Sequence, residues 1–255
     1  MIKIMADSTC DLSQEIIDLY DIGIAPLTIT IDNKTYLDRL DISPDEFYRL
    51  IAEPGVIPLT AQITPVEFQE EFEQVMKESD DDIIYIAFSS GLSGTYQSAC
   101  IVRDMVNPER ITVIDSESAS VGYGLIVIKA ANDIAAGKSK EEVIAGINDY
   151  IKRIQHIFIV GNFEMLKRGG RISATSAALG NLLNIKLIAH FIDGKIHPLE
   201  KAHGIKKAKK RLLEVMEDRG YQLSEQLIGI NYSNDLEGAL EIKKLIEEKF
   251  GCREF

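Results

Sequence analysis

The sequence predicts an α/β protein: an N-terminal doubly wound parallel-sheet domain followed by a C-terminal α+β domain with antiparallel strands. Three observations carry this prediction. Residues 2–6, 83–88 and 111–114 are unbroken apolar runs, as in strands covered on both faces. Segments with clear helix-start signals lie between these runs, which is the alternation of a βα-wound sheet. After about residue 155 the alternation gives way to hairpin-forming chain around Asp193-Gly194. The expected domains are residues 1–155 and 156–255.

The first run, residues 2–6, ends in Asp7-Ser8-Thr9 and feeds a helix that Asp11 or Ser13 can cap. Residues 22–31 are rich in β-branched side chains, Asp32-Asn33 offers a turn, and residues 34–37 a partner strand. Ser43 caps the next helix, with Pro44 at its first position, and Glu53-Pro54-Gly55 ends it. Thr64-Pro65-Val66-Glu67 opens another with a capping box and runs to about Lys77. A Ser/Gly segment and a helix over 95–106 follow the strand at 83–88, and helices over 121–136 and 139–154 follow the strand at 111–114. In the second part, residues 157–160 read as a strand, 176–183 as a helix, and 186–192 with 195–199 as a hairpin. Helices over 205–217 and 235–250 bracket a predicted strand at 226–231. In a doubly wound sheet the ligand sits at the carboxyl ends of the strands, which here are the loops at 7–10, 89–94 and 115–118.

Composition narrows the function classes. The 255-residue chain is 45% hydrophobic and carries a net charge of −12. Nucleic-acid binding needs a basic face to neutralise phosphates. The one basic cluster, residues 206–211, reads as the solvated face of a helix. An acidic chain that binds an anion must supply donors locally, from hydroxyls, backbone N–H groups and helix starts. Three cysteines without C-x-x-C spacing, no secretory opening and no apolar run of membrane-spanning length point to a reducing cytoplasm and no stable membrane insertion.

The segment Ser89-Ser90-Gly91-Leu92-Ser93-Gly94-Thr95-Tyr96 concentrates hydroxyls and glycines between a strand and a helix. Glycines allow close approach to a ligand, and a helix start presents free N–H groups. The segment therefore reads either as an oxyanion or phosphate cradle or as an ordinary βα loop with good capping residues. Residue type leaves both open. A hydrolase elbow fails because Thr95 stands where Gly-x-Ser-x-Gly needs its second glycine. The four histidines, His156, His190, His197 and His203, all lie in the second part, outside any triad pattern. Neither phosphate-loop nor dinucleotide fingerprint occurs, and the Asp80-Asp81-Asp82 run reads as a solvated turn. His190 and His197 can face one another across the hairpin, a pairing that is more often structural than metal-binding. No catalytic, metal or cofactor site is expected. Arg168 and Arg171 flank a Gly-Gly pair, which suits either closure over an anion or a charged surface turn.

Taken in order, Asp7-Ser8-Thr9, Thr60-Ala61-Gln62-Ile63-Thr64-Pro65, the Ser89–Tyr96 run, Leu166-Lys167-Arg168-Gly169-Gly170-Arg171-Ile172 and residues 194–208 resemble the DegV family of fatty-acid-binding proteins over nearly the whole chain. The resemblance implies two α/β-type domains enclosing one long-chain fatty acid such as palmitate, stearate or oleate. It maps the carboxylate onto the hydroxyls of Thr60 and Ser93 and the backbone of Gly94, with Ser89, Ser90, Thr95, Gln62, Arg171 and His203 as supporting residues. It further implies a non-catalytic carrier in bacterial phospholipid-precursor metabolism that presents the carboxylate to a separate ATP-binding fatty-acid kinase subunit. The alternatives are a small-molecule acyl or phosphoryl transferase using Ser93, and a sensor module plugged by lipid. The family reads Thr-Ser-Gln-Pro where this chain has Thr60-Ala61-Gln62-Ile63, Lys-Pro at Lys186-Leu187, and Lys-x-Arg at Lys201-Ala202-His203. It also continues past its final helix into a strand and a Gly-Thr-His motif, which residues 251–255 do not reach, so an incomplete second-domain sheet is expected.

Overall fold

The computed structural model describes residues 1–53, 55–161, 166, 168–172 and 184–255. The predicted helix at 176–183, with Lys167 and Pro54, lies outside them. The chain falls into two compact units, Met1–Arg153 and Ile154–Phe255.

The first unit is built on a parallel sheet of β1 (Ile2–Asp7), β2 (Gly23–Ala25), β6 (Asp82–Ala87) and β7 (Ile111–Asp115), in the order β2-β1-β6-β7. Strand alternation sends Met5, Ile83 and Tyr85 to one face, where Phe68 and Phe72 of α3 (Pro65–Glu78) and Ala99 and Val102 of α4 (Thr95–Val106) cover them. Phe68 meets the Tyr85 ring edge-on at 5.0 Å. Ile84 and Ile86 point to the other face, are fully buried, and explain why these runs lack polar alternation. On that side α5 (Ser120–Ala135) packs against β1 and α6 (Lys140–Arg153) against α5. A Cβ on Gly124 of α5 would lie 2.5 Å from the Cys10 carbonyl oxygen, so only glycine admits this approach.

A separate antiparallel sheet, β4-β3-β5, comprises β3 (Thr28–Ile31), β4 (Lys34–Leu37) and β5 (Leu59–Ala61). The β-branched stretch at 22–31 is thus not one strand. Pro26-Leu27 divides it between two sheets, because proline cannot donate to a ladder. Asp32 and Asn33 both take positive φ (48° and 65°), as the tight β3–β4 hairpin requires. Ile29, Ile31 and Tyr36 of this sheet bury against Phe47, Leu50 and Ile51 of α2 (Pro44–Ile51). Capping follows the sequence: Ser13 caps α1 (Gln14–Leu19), Ser43 caps α2, and Thr64 with Glu67 closes a capping box on α3. Asp11, the other candidate cap, is instead in the left-handed region at φ 52°.

The second unit contains the antiparallel sheet β10-β9-β8, from β8 (Ile157–Val160), β9 (Ile185–Ile192) and β10 (Lys195–His203). Its Asp193-Gly194 turn has positive φ at both residues, as that dipeptide predicts. The pairing slips between Pro198 and Glu200, where proline again withholds a donor. α7 (Ile205–Arg219) and α8 (Leu236–Phe250) follow. The basic run at 206–211 is not wholly a solvated face. Lys209 is buried and its ammonium meets Glu241 Oε2 at 2.6 Å, while Arg211 forks onto Glu200 at 2.7 and 2.8 Å.

The strand predicted at 226–231 is not formed. Leu227 makes only an isolated bridge to Glu254, and the Ile228 N–H donates to the Glu254 carbonyl at 3.0 Å. A strand needs a continuous ladder partner. Here Ile228 and Ile230 satisfy their apolar pattern by packing with Leu213, Ile246 and Cys252. Among the described residues no helix is long and apolar enough to cross a membrane.

Candidate carboxylate-binding site

The Ser/Gly segment runs from the carboxyl end of β6 to the first turn of α4. Each part of it is held by a named bond. The Ser89 N–H donates to the Ser118 carbonyl at 3.0 Å, and the Ser90 N–H to Asp115 Oδ1 at 3.1 Å, so the ends of β6 and β7 are laced together. The Leu92 and Ser93 N–H groups both turn back to the Ser89 carbonyl, at 3.0 and 3.1 Å. Ser89 and Thr95 are buried, whereas Ser90, Ser93 and Gly94 are half-buried. Ser93 Oγ accepts the Thr95 N–H at 3.3 Å and stands 2.9 Å from Thr95 Oγ1. When Thr95 donates in that second contact, the Ser93 proton points elsewhere.

Gly94 is the N-cap of α4 and brings no side-chain cap to the helix start. Its role is close approach rather than unusual backbone, since its φ is −78°. A Cβ there would lie 2.0 Å from Gln62 Oε1. Gln62 crosses above Gly94 to donate from Nε2 to Ser98 Oγ at 3.2 Å. Thr60, two residues earlier on the exposed strand β5, pairs with Ile29. The structure therefore brings Gln62, Gly94, Ser93 and Thr95 together and joins Thr60 to them through the short chain from β5. Arg171 and His203 belong to the second unit. Both are exposed: the Arg171 guanidinium donates to the Gly169 carbonyl, and His203 ends β10 opposite Ile185.

Asp7, which the sequence places in a loop at the ligand end of the sheet without assigning it a role, lies beneath this segment. Asp7, at the carboxyl end of β1, is fully buried. Its Oδ2 accepts the Phe88 N–H and the Tyr85 hydroxyl, each at 2.9 Å, and its Oδ1 accepts the Thr9 N–H at 3.1 Å and the Thr9 hydroxyl. The Tyr123 hydroxyl accepts the Asp7 N–H at 2.9 Å and donates to the Ile86 carbonyl. Burial pushes the Asp7 carboxyl above its ordinary range, and the bonds from Thr9, Phe88 and Tyr85 draw it back. Burial and the neighbouring Asp7 carry both tyrosine hydroxyls well above 10. Next to Asp7, buried Ser8 accepts the Leu27 N–H at 3.1 Å, and burial raises the Asp38 carboxyl. The one available sequence signal was a polar triplet, Asp7-Ser8-Thr9, closing an apolar strand at a sheet's carboxyl edge.

His190 and His197 stand opposite one another on β9 and β10, with His190 Nδ1 3.0 Å from the Arg219 guanidinium. Burial, Arg219 and His197 all lower the His190 pKa. Among the described residues no cluster of three metal-ligating side chains occurs.

Comparison with known proteins adds the chemistry. The profile of the uncharacterised DegV family matches residues 1–255. A DegV domain-containing protein of Caldanaerobacter subterraneus subsp. tengcongensis is 41% identical over 261 residues, covering 98% of this chain and 92% of the relative. The structure of Bacillus subtilis DegV, described as a fatty acid binding protein, superposes with a TM-score of 0.87 at 31% identity, covering 100% of this chain and 90% of that one. A stearic-acid-binding protein of Eubacterium ventriosum superposes with a TM-score of 0.91 at 26% identity, covering 100% and 89%.

Proposed function

The chain belongs to the DegV family, and from that premise we propose that it is a cytoplasmic carrier of one long-chain fatty acid that presents the carboxylate to a separate ATP-binding kinase subunit. In this reading the hydroxyls of Thr60 and Ser93 and the backbone of Gly94 hold the carboxylate. Ser89, Ser90, Thr95 and Gln62 shape the loop. The observation that carries the reading is the Ser93-Gly94-Thr95 turn. It stands at the carboxyl end of a parallel strand, at a helix start without a side-chain cap, and when Thr95 donates to Ser93 Oγ the Ser93 proton is left for a ligand.

The energetics suggest a division of labour. Burying roughly 14 methylenes at ~0.8 kcal/mol each would contribute on the order of 11 kcal/mol, before ordering costs. A hydrogen bond to a charged carboxylate adds about 1.5–3 kcal/mol. The tail supplies most of the affinity, and the hydroxyls decide which end faces outward.

Native mass spectrometry of the purified protein tests binding: one fatty acid per chain is expected, and protein that neither retains nor takes up palmitate, stearate or oleate overturns the reading. Ser93→Ala should weaken palmitate about tenfold or more. Acyl-phosphate formation should require both ATP and the kinase subunit. Turnover by this chain alone, abolished in Ser93→Ala, would make it a transferase instead.

A further inference from the structure

Two side chains that lie beneath the proposed carboxylate contacts connect the two sheets carrying them. Asp7 acts on the parallel sheet. By accepting the Phe88 N–H at 2.9 Å it fixes the residue immediately before the Ser/Gly loop. Ser8 acts on the antiparallel sheet. By accepting the Leu27 N–H at 3.1 Å it fixes the residue immediately before β3, and the Leu27 carbonyl in turn accepts the Asp38 N–H at 2.8 Å, just beyond β4. The Arg39 guanidinium, next along the chain, donates to the Leu12 carbonyl. The entry to β3 and the exit of β4 therefore close around residues 8–12. β5 pairs with β3, Thr60 opposite Ile29, so the position of Thr60 follows that of β3.

We propose that Asp7 and Ser8 form a positioning pair that sets the spacing between Thr60 and the Ser93-Gly94 turn without touching the ligand, an assignment that rests on the carboxylate site proposed above. Asp7 closes β1 and Ser8 opens the 3-10 turn that follows it, and their side chains reach different partners, Phe88 and Leu27. Here one grips the loop of the sheet it belongs to and the other grips the second sheet. Both are almost wholly buried, so each bond is shielded from competing water. A two-point clamp on a carboxylate depends on the distance between its points, whereas the grip on an alkyl tail does not.

The test uses the full chain and two ligands with one tail, palmitate and hexadecan-1-ol, measured by displacement of a fluorescent fatty acid. Ser8→Ala and Asp7→Asn should each lower the preference for acid over alcohol about tenfold, with alcohol affinity unchanged, and Ser8→Thr should restore much of it by keeping the hydroxyl. An undiminished preference in Ser8→Ala overturns the proposal, as does a proportionate loss of both ligands, which marks a merely structural role. Should Asp7→Asn fail to fold, the two Ser8 variants decide. Failure of the carboxylate site itself looks different: the unaltered protein would show no acid preference and Ser93→Ala would change nothing, and the positioning role would fall with it.

Discussion

Gly94→Ala combined with Gln62→Ala isolates the contact on which the α4 start is built. The backbone at Gly94 is ordinary, φ −78° and ψ 2°, so alanine is not excluded by strain. What excludes it is Gln62, whose Oε1, Cδ and Nε2 would lie 2.0, 2.8 and 3.1 Å from the new Cβ. The glutamine must swing away, and its 3.2 Å bond to Ser98 Oγ goes with it. Ser98 is 2% exposed, so its hydroxyl is left buried and unpaired. Such a loss costs about 1–3 kcal/mol. Where nothing obstructs it, Gly→Ala instead stabilises by about 0.4–1 kcal/mol through the unfolded chain.

The two substitutions should therefore couple. Alone, Gly94→Ala should destabilise by about 1–2 kcal/mol, or roughly 2–4 °C per kcal/mol in Tm. In a Gln62→Ala background the same change should be neutral or stabilising. The coupling, about 2 kcal/mol, is read from urea unfolding of the four proteins in the cycle. Palmitate affinity should fall in Gly94→Ala and recover in part in the double variant, because Ser93 and Thr95 flank the displaced turn. An equal penalty for Gly94→Ala in both backgrounds would refute the argument that Gln62 is what demands glycine.

Three further outcomes follow from the geometry. Tyr123→Phe should cost more stability than Tyr85→Phe, because it leaves the buried Asp7 N–H without an acceptor while Asp7 Oδ2 still keeps the Phe88 N–H when Tyr85 is lost; equal urea midpoints would contradict this. Burial lowers His156 from 6.5 to about 4, so the folded chain keeps the imidazole neutral where the unfolded chain protonates it. Stability tied to His156 is then complete above pH 6.5 and is lost as pH falls toward 4, by up to roughly 3 kcal/mol. His156→Phe, which keeps a ring against Phe191, should flatten that slope, and an unchanged acid transition removes His156 as its source. Of the three cysteines, only half-buried Cys100 should react with an aromatic disulfide in the native state, since Cys10 is wholly buried with its thiol pushed up to about 12 and Cys252 is buried as well; a fast-reacting Cys10 would contradict its position.

The fold was legible wherever one segment carried its own reason. Ser43, Thr64 with Glu67, and Asp193-Gly194 each state a cap or a turn within four residues, and each forms as read. Ile83 to Ala87 is apolar on both sides because both sides are covered. What could not be read locally was partnership. Residues 226–231 have the composition of a strand, but Ile228 and Ile230 reach their burial through side-chain packing with α7 and α8 instead of through a ladder. Residues 22–31 have the composition of one strand, and a single proline assigns its halves to different sheets.

The site divides along the same line, for a physical reason. The hydroxyls of Ser89 to Thr95 bond mainly within their own loop and were visible as a cluster. The residues that orient the loop bond far along the chain: Asp7 to Phe88 across 81 positions, Gln62 to Ser98 across 36, and Ser8 to Leu27 across 19. Aspartate and serine after a strand are also what any turn would use, so their type cannot distinguish a local bond from a distant one. Burial separates the two cases. A turn residue keeps its polar atoms wet at little cost, whereas Asp7 at zero exposure must find partners inside or forfeit several kcal/mol. The polar residues worth substituting first are therefore the fully buried ones at the end of β1, ahead of the exposed Arg171 and His203 that the sequence also marked.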